Sequence, residues 1–253
     1  MIFEKKRFGP SFRESLFCLT LLLLFGAVRP FFCLGQDLPP ATNNGLRTYC
    51  LVIDSGHGGK DSGVILEAGL LEKELSLDIA QKIRELISSD TGIKAVLTRS
   101  GDYDVPLENR AAIANHQKAD LFLSIHFSNH LYPPVEDLRV FIAAYSPEEM
   151  DFSSTAAENW QLMQSKHLVE SREFAQCMLK ASKMSGSFES IDFLEAPVYV
   201  LEGASMPAVE VEVGIASTQE SLKKIENEEY RWQIARALFQ GILDYTKEQE
   251  QTP

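Results

Sequence analysis

Cysteine is scarce in this chain, and none of the spacings between its four cysteines is that of a metal or redox motif. Because no Cys-x-x-Cys pair occurs, neither a cysteine zinc site nor a thiol redox centre is indicated. Two cysteines, Cys50 and Cys177, lie beyond the N-terminal apolar segment described below. An oxidising compartment would permit a disulfide between them, whereas isolated cysteines are often buried as small apolar side chains. The sequence leaves both alternatives open.

Positive charge is also in short supply. The chain has 24 Lys and Arg against 36 Asp and Glu, which gives a net charge of -12. Residues 1–35 hold five of the basic and two of the acidic residues, so the remainder carries -15. Nucleic acid requires a basic footprint on its partner, and anionic lipid attracts basic segments. The composition therefore argues against nucleic acid and anionic lipid as partners.

A long apolar run occurs at residues 16–28, and it is shorter than the roughly 20 residues of a membrane span. Basic residues at positions 5–7 precede it and small residues follow it, which is the order found in a secretory signal. We therefore expect residues 1–35 to be a signal peptide and the remainder to be exported. Residues 29–30, Arg-Pro, are unusual before a cleavage site, so an uncleaved signal that anchors the protein is the alternative.

Beyond a linker at residues 36–46, buried apolar runs alternate with amphipathic patterns. Strands are predicted at residues 48–54, 93–98, 119–125, 138–144, 197–201 and 208–213, and helices at 72–88, 106–117, 171–185 and 219–247. This alternation is typical of an α/β domain with a mostly parallel, twisted central sheet of about six strands flanked by helices. We expect one catalytic domain at residues 47–247, followed by a frayed polar tail at 248–253.

Polar residues lie at the carboxyl ends of these buried strands. His57 follows the first strand between glycines, His126 ends the third, and Glu210 and Glu212 lie in the last. Because ligands of open α/β sheets collect beyond the carboxyl ends of strands, we expect these side chains to converge. Glu72 opens the first helix, where the helix dipole favours a carboxylate. Two His and one Glu form a common catalytic zinc set, and a further carboxylate must act as the base.

The chain resembles the zinc-dependent N-acetylmuramoyl-L-alanine amidases of the Amidase_3 type, which trim bacterial cell walls. The matching motifs occur in the family's order and lie within residues 53–63, 72–80, 97–99, 109–115, 119–126 and 206–214. The resemblance implies that His57, Glu72 and His126 hold one Zn²⁺ ion. It also implies that Glu212 is the catalytic base, because the family's Val-Glu-x-Gly pattern selects Glu212 over Glu210.

The reaction implied by the resemblance is hydrolysis of the amide between N-acetylmuramic acid and L-alanine in peptidoglycan, during cell-wall remodelling or daughter-cell separation. The periplasm or cell envelope is the expected location, peptidoglycan is the expected partner, and an activator protein is a further option. Two alternatives stay open. A zinc carboxypeptidase or endopeptidase on stem peptides would use the same metal set, whereas a non-catalytic wall-binding protein would need none. No substrate-binding residue is identified.

Some positions depart from the family's pattern. Ser128 replaces the usual Asn, Gly214-Ile215 stands for the family's Gly-Phe, and Ser217-Thr218 stands for its Ser-Asn; we expect these changes to touch the walls of the cleft. The interval 145–169 is too short for the regulatory helix that plugs the metal in longer relatives. We therefore hypothesise that the enzyme is not fully self-inhibited, and that deletion of this interval changes activity only slightly.

Four charged residues near the candidate ligands have two interpretations. Asp54 could orient a metal-bound imidazole, as carboxylates commonly do in metal sites. It could equally form an ion pair with an arginine and brace the loops. Asp61, Arg99 and Arg110 are open to the same two interpretations.

Overall fold

A six-stranded sheet organises the residues that the computed structural model describes, which are 47–66, 69–87, 91–130, 137–144, 160 and 163–251. The strands are β1 (Tyr49–Ser55), β2 (Ile93–Leu97), β3 (Leu121–His130), β4 (Asp137–Ala143), β5 (Ser190–Ala196) and β6 (Ala208–Ala216), in the order β2-β1-β3-β6-β4-β5. Pairing is antiparallel between β4 and β6 and parallel elsewhere. The predicted fold class, a mostly parallel sheet of about six strands, is confirmed. The predicted signal peptide at residues 1–35 and the predicted linker at residues 36–46 lie outside the described residues.

Helices cover both faces of the sheet. They are α1 (Glu72–Leu86), α2 (Leu107–His116), α3 (Leu168–Ser185), α4 (Tyr199–Glu202), α5 (Gln219–Glu226) and α6 (Glu228–Gln251). One face packs against α1, α3 and α6, and the other against α2 and α4. Within the described part of the chain, no helix combines the length and apolarity that crossing a membrane requires.

The central strand β1 explains the unbroken apolar run in the sequence. Successive side chains of a strand point to opposite faces, so Leu51 and Ile53 join the core cluster under α1, α3 and α6, whereas Val52 joins the cluster under α2 and α4. The same alternation separates the two cysteines. Cys50 packs against the second cluster and Cys177 lies in the first, so the sheet stands between them, and both thiols are free.

Three local predictions are wrong. The strand predicted at 197–201 is the short helix α4, and the strand lies earlier, at β5. The β-branched and aromatic residues of that stretch indicated a strand, but Val200 and Leu201 are buried in a helical turn, because β-propensity yields to packing. The helix predicted at 219–247 breaks at Asn227, whose side chain accepts from the backbone N–H of Glu229 at 2.8 Å. The expected frayed tail is helical as far as Gln251.

The interval 145–169 is described at residue 160 and from residue 163 onward, and the remainder of it lies outside the described residues. Gln164 is fully buried, and its Nε2 donates to the carbonyls of Ala204 at 3.2 Å and Met206 at 2.9 Å. Deletion of the whole interval would leave these carbonyls without that partner. The deletion would therefore perturb the fold as well, and its effect on activity would not report on regulation alone.

Helices α3 and α6 cross closely at Gly241 and Met178. A Cβ at Gly241 would lie 2.6 Å from Met178 Sδ and 2.8 Å from Met178 Cα. Overpacking of this kind costs about 1–3 kcal/mol, which the better helix propensity of Ala offsets by about 1 kcal/mol. We expect Gly241→Ala to lower the free energy of unfolding in urea, and exposed Gln233→Ala on the same helix to leave it nearly unchanged. A stabilised Gly241→Ala protein would contradict the crossing.

Candidate metal centre

The three predicted metal ligands come together at the carboxyl ends of the central strands. His57 Nε2 lies 3.0 Å from Glu72 Oε1, and His126 Nδ1 lies 2.9 Å from the same oxygen. The two imidazole centroids are 5.2 Å apart. One ligand atom from each residue falls within 4.8 Å of the others, so the group can hold a metal ion.

The loop that carries His57 has an unusual backbone. His57, Gly58 and Gly59 follow one another with φ values of 60°, 131° and 61°. The left-handed region costs a side-chain-bearing residue about 1–2 kcal/mol, and glycine adopts it freely. External bonds hold the loop, since Arg110 Nη2 donates to the His57 carbonyl at 2.9 Å and Arg99 Nη2 to the Gly56 carbonyl at 2.8 Å.

Asp61 orients the first imidazole. Its Oδ2 lies 2.7 Å from His57 Nδ1, and a carboxylate of this kind accepts the ring N–H and leaves the other nitrogen for a metal. The hydrogen bond to Glu72 raises the pKa of His57 against the effect of burial, with a further contribution from Asp61. Of the two interpretations of Asp61, the orienting role is the one that its contacts match.

Asp54 takes the second of the two roles, an ion pair with an arginine that braces the loops. Its Oδ1 accepts from Thr98 Oγ1 at 2.6 Å and from Arg110 Nη1 at 2.9 Å, and its Oδ2 accepts from Ser124 Oγ at 2.8 Å. Asp54 is fully buried, so this ion pair braces the end of β1 from inside the protein. The buried guanidinium of Arg99 likewise binds backbone carbonyls, among them Ser55 at 3.0 Å. Both arginines therefore support the His57 loop.

Glu72 is a buried and ionised carboxylate. Its Oε2 accepts from the Val64 N–H at 2.8 Å, and its Oε1 accepts from the Phe127 N–H at 3.1 Å. Burial opposes the charge of this carboxylate, but hydrogen bonds from His126, His57 and Val64 outweigh it and hold the pKa well below its usual range. A buried anion requires a cationic partner, so the donor set suits a bound metal cation.

His126 is the second imidazole, and a carboxylate flanks it on the far side. Burial opposes its charged form, but the hydrogen bond to Glu72 and the charge of Glu210 raise the pKa of His126 to about 9. Glu210 Oε2 lies 3.8 Å from His126 Nε2, and burial raises the pKa of Glu210. The metal-free His126 therefore holds a proton at neutral pH, and a metal must displace it on binding.

Glu212 lies beside this group on β6. It is the register partner of His126 on β3, and Arg139 on β4 is its partner on the other side, so the three form a row across neighbouring strands. Arg139 Nη1 donates to Glu212 Oε1 at 3.3 Å, and Asp137 Oδ2 accepts from Arg139 Nη2 at 2.9 Å. Arg139 was not predicted from the sequence, because its place depends on β4 pairing with β6.

Two residues of the altered motifs, Ile215 and Ser217, lie in different surroundings. Ile215 is fully buried in the core cluster under α1, α3 and α6, so its expected place in the cleft wall is wrong. Ser217 donates a hydrogen bond to Asn129, the residue after Ser128, and so joins the end of β3 to the segment after β6.

Comparisons with known proteins identify the family and the fold. The sequence model of the Amidase_3 family, described as N-acetylmuramoyl-L-alanine amidase, matches residues 51–244. The N-acetylmuramoyl-L-alanine amidase AmiA of Escherichia coli K12 is 30% identical over 234 residues, which cover 83% of this chain and 80% of AmiA. The crystal structure of an N-acetylmuramoyl-L-alanine amidase from Clostridium difficile 630 has a TM-score of 0.63 and 26% identity, and covers 82% of this chain and 100% of that one. The amidase AmiC2 of Nostoc punctiforme has a TM-score of 0.59 and 30% identity, over 79% of this chain and 97% of its own.

A glycine packed against the second imidazole tests the metal centre. A Cβ at Gly56 would lie 2.5 Å from His126 Cε1 and within 2.8 Å of both ring nitrogens, so Gly56→Ala must displace the ring. We expect this variant to bind Zn²⁺ about 10–100-fold more weakly in competition with a chromophoric chelator. Gly101→Ala is the matched control, because its nearest side-chain atoms are 3.7 Å away. Equal affinities in the two variants would show that His126 is not a ligand.

Proposed function

The chain belongs to the Amidase_3 family of N-acetylmuramoyl-L-alanine amidases, enzymes that hydrolyse an amide bond of peptidoglycan, and we propose that it does so with one zinc ion held by His57, Glu72 and His126. The bond cleaved joins N-acetylmuramic acid to L-alanine. The observation that carries the metal proposal is the convergence of two imidazoles on one buried carboxylate, with ligand atoms within 4.8 Å of one another.

The chemistry of this donor set favours zinc. Two neutral imidazoles and one carboxylate leave a bound Zn²⁺ with a net charge near +1, and three protein ligands leave a fourth position open. Bound zinc supplies a Lewis acid, which makes water more acidic and an amide carbonyl more electrophilic. The outer carboxylates support the set, since Asp61 faces the ring nitrogen of His57 that points away from Glu72.

We propose Glu212 as the general base. It takes the proton of the attacking water and returns it to the departing amine of L-alanine. Its register with His126 supports this role, because paired residues of parallel strands project from the same face. Its side chain is 23% exposed, so water and substrate can reach it, and the bond from Arg139 restrains the carboxylate. Glu210 is the more deeply buried of the two acids and faces His126.

Peptidoglycan lies outside the cytoplasmic membrane, so an amidase of this family must be exported to reach it. The signal peptide at residues 1–35, its alternative use as an anchor, a periplasmic location, a part in daughter-cell separation and an activator protein stay predictions from the sequence. Among the alternatives, family membership favours the amidase over a stem-peptide peptidase.

The base assignment predicts a separation of metal binding from turnover. Glu212→Gln should keep bound zinc, because Glu212 is outside the ligand group, and should lose about 100- to 10,000-fold in muropeptide cleavage. Glu210→Gln is the paired variant, two residues away on the same strand and face, and should lose much less. Zinc content by mass spectrometry and kcat on purified muropeptides decide which of the two glutamates is the base. If Glu210→Gln is the inactive member of the pair, the roles are reversed.

Chelation and product analysis test the reaction. Dialysis against a chelator should abolish cleavage of purified peptidoglycan, and one equivalent of Zn²⁺ should restore it. Mass spectrometry should find intact free stem peptides and bare glycan. Shortened stems still attached to glycan would identify a peptidase, and full activity in chelator would rule out the proposed metal.

A further inference from the structure

We infer that Lys73 and Asp102 are positioning residues that hold the loop of residues 56–63 in the conformation that directs His57 to the metal. This inference rests on the proposed function for the metal, but its structural part concerns the loop alone. The Lys73–Asp102 pair is called the loop clamp below.

The loop needs external support because its own preferences oppose its shape. Three consecutive residues, His57 to Gly59, have positive φ. Such a backbone persists where surrounding groups hold it. Two hydrogen bonds within the loop, between the backbone groups of Gly58 and Asp61 at 2.9 and 3.2 Å, close a narrow turn but do not attach it to the rest of the protein.

The loop clamp supplies that attachment at Gly59. The Gly59 N–H donates to Asp102 Oδ1 at 2.7 Å, and the Gly59 carbonyl accepts from Lys73 Nζ at 2.9 Å. Lys73 Nζ also lies 2.7 Å from Asp102 Oδ2, so the two side chains and the peptide groups of Gly59 form one closed ring of contacts. Charge-assisted bonds of this kind are stronger than neutral ones.

The clamp also connects two metal ligands. Lys73 directly follows Glu72 at the start of α1, and its backbone N–H donates to the Ser62 carbonyl at 3.3 Å. The loop of His57 is thus attached to the helical turn that carries Glu72. Displacement of the loop would separate the His57 ring from the Glu72 carboxylate.

The clamp can be removed with little loss of core. Asp102 has a 55% exposed side chain, whereas Arg99 and Arg110, which also bind this loop, are buried. Asp102→Ala removes the exposed member of the clamp, and contacts of an exposed charge contribute little to global stability. If the clamp positions the loop, its removal should change the loop and the metal affinity. If it only adds to the stability of the fold, its removal should change neither of them selectively.

The experiment compares two ion pairs whose lysines both lie on α1. Lys73→Met and Asp102→Ala remove the loop clamp, in which Nζ lies 2.7 Å from the carboxylate. Lys82→Met and Asp78→Ala remove a pair with a similar distance, 2.8 Å, in which Asp78 also binds Arg231. The side chains of Lys73 and Lys82 are 10% and 8% exposed, so the two lysines are equally buried. Amide hydrogen exchange of residues 56–63 is measured on the metal-free full chain, and Zn²⁺ affinity by chelator competition.

The clamp variants should exchange the loop amides about tenfold faster, with the β3 amides unchanged. They should also bind Zn²⁺ about tenfold more weakly, as outer-shell substitutions commonly do. The control variants should match the unmodified chain in both measurements. Unchanged loop exchange, unchanged affinity despite faster exchange, or equal losses in the controls would each overturn the inference. If the unmodified chain bound no zinc, the proposed function would fail, and the exchange data would still decide whether the clamp holds the loop.

Discussion

The carboxylate of Glu72 lies buried between two imidazole rings, and the arrangement of the site depends on that contact. Its Oε1 is within 3.0 Å of a nitrogen of His57 and of His126, and backbone N–H groups of Val64 and Phe127 complete its shell. An anion in such a place requires a positive partner. In the absence of a metal, a proton on His126 supplies positive charge; in the proposal made above, the same three side chains are the metal's ligands.

The fold brings these residues together through the ends of its parallel strands. His57 follows β1, Glu72 begins α1, and His126 lies within β3, one residue beyond the point where β3 pairs with the last residue of β1, so each of the three belongs to a different element. The next strands across the sheet add two residues to the site, since β6 places Glu212 beside His126 and β4 places Arg139 beside Glu212. One proposed ligand, the proposed base and the arginine that restrains it are thus arranged along one row of the sheet.

Features encoded in short segments were predicted from the sequence, and features that depend on pairing between distant segments were not. Buried apolar runs identified β1 and β3, and the polar residues that follow them identified His57 and His126, which the structure brings together with Glu72. The edge strand β5 was missed, because its side chains are partly or fully exposed and include the acidic residues Asp192 and Glu195. Asp54 and Asp61 could not be told apart, since only the fold shows that one faces Arg110 and the other His57. Arg139 required knowledge that β4 runs antiparallel to β6.

The central claim is that one zinc ion binds two imidazoles and one carboxylate of this chain. X-ray absorption at the zinc edge, on protein loaded with one equivalent of Zn²⁺, tests it most directly. The account predicts four-coordinate zinc with nitrogen and oxygen ligands at about 2.0–2.2 Å and multiple scattering from two imidazole rings. A spectrum with fewer than two imidazoles, or zinc surrounded by water alone, would contradict it.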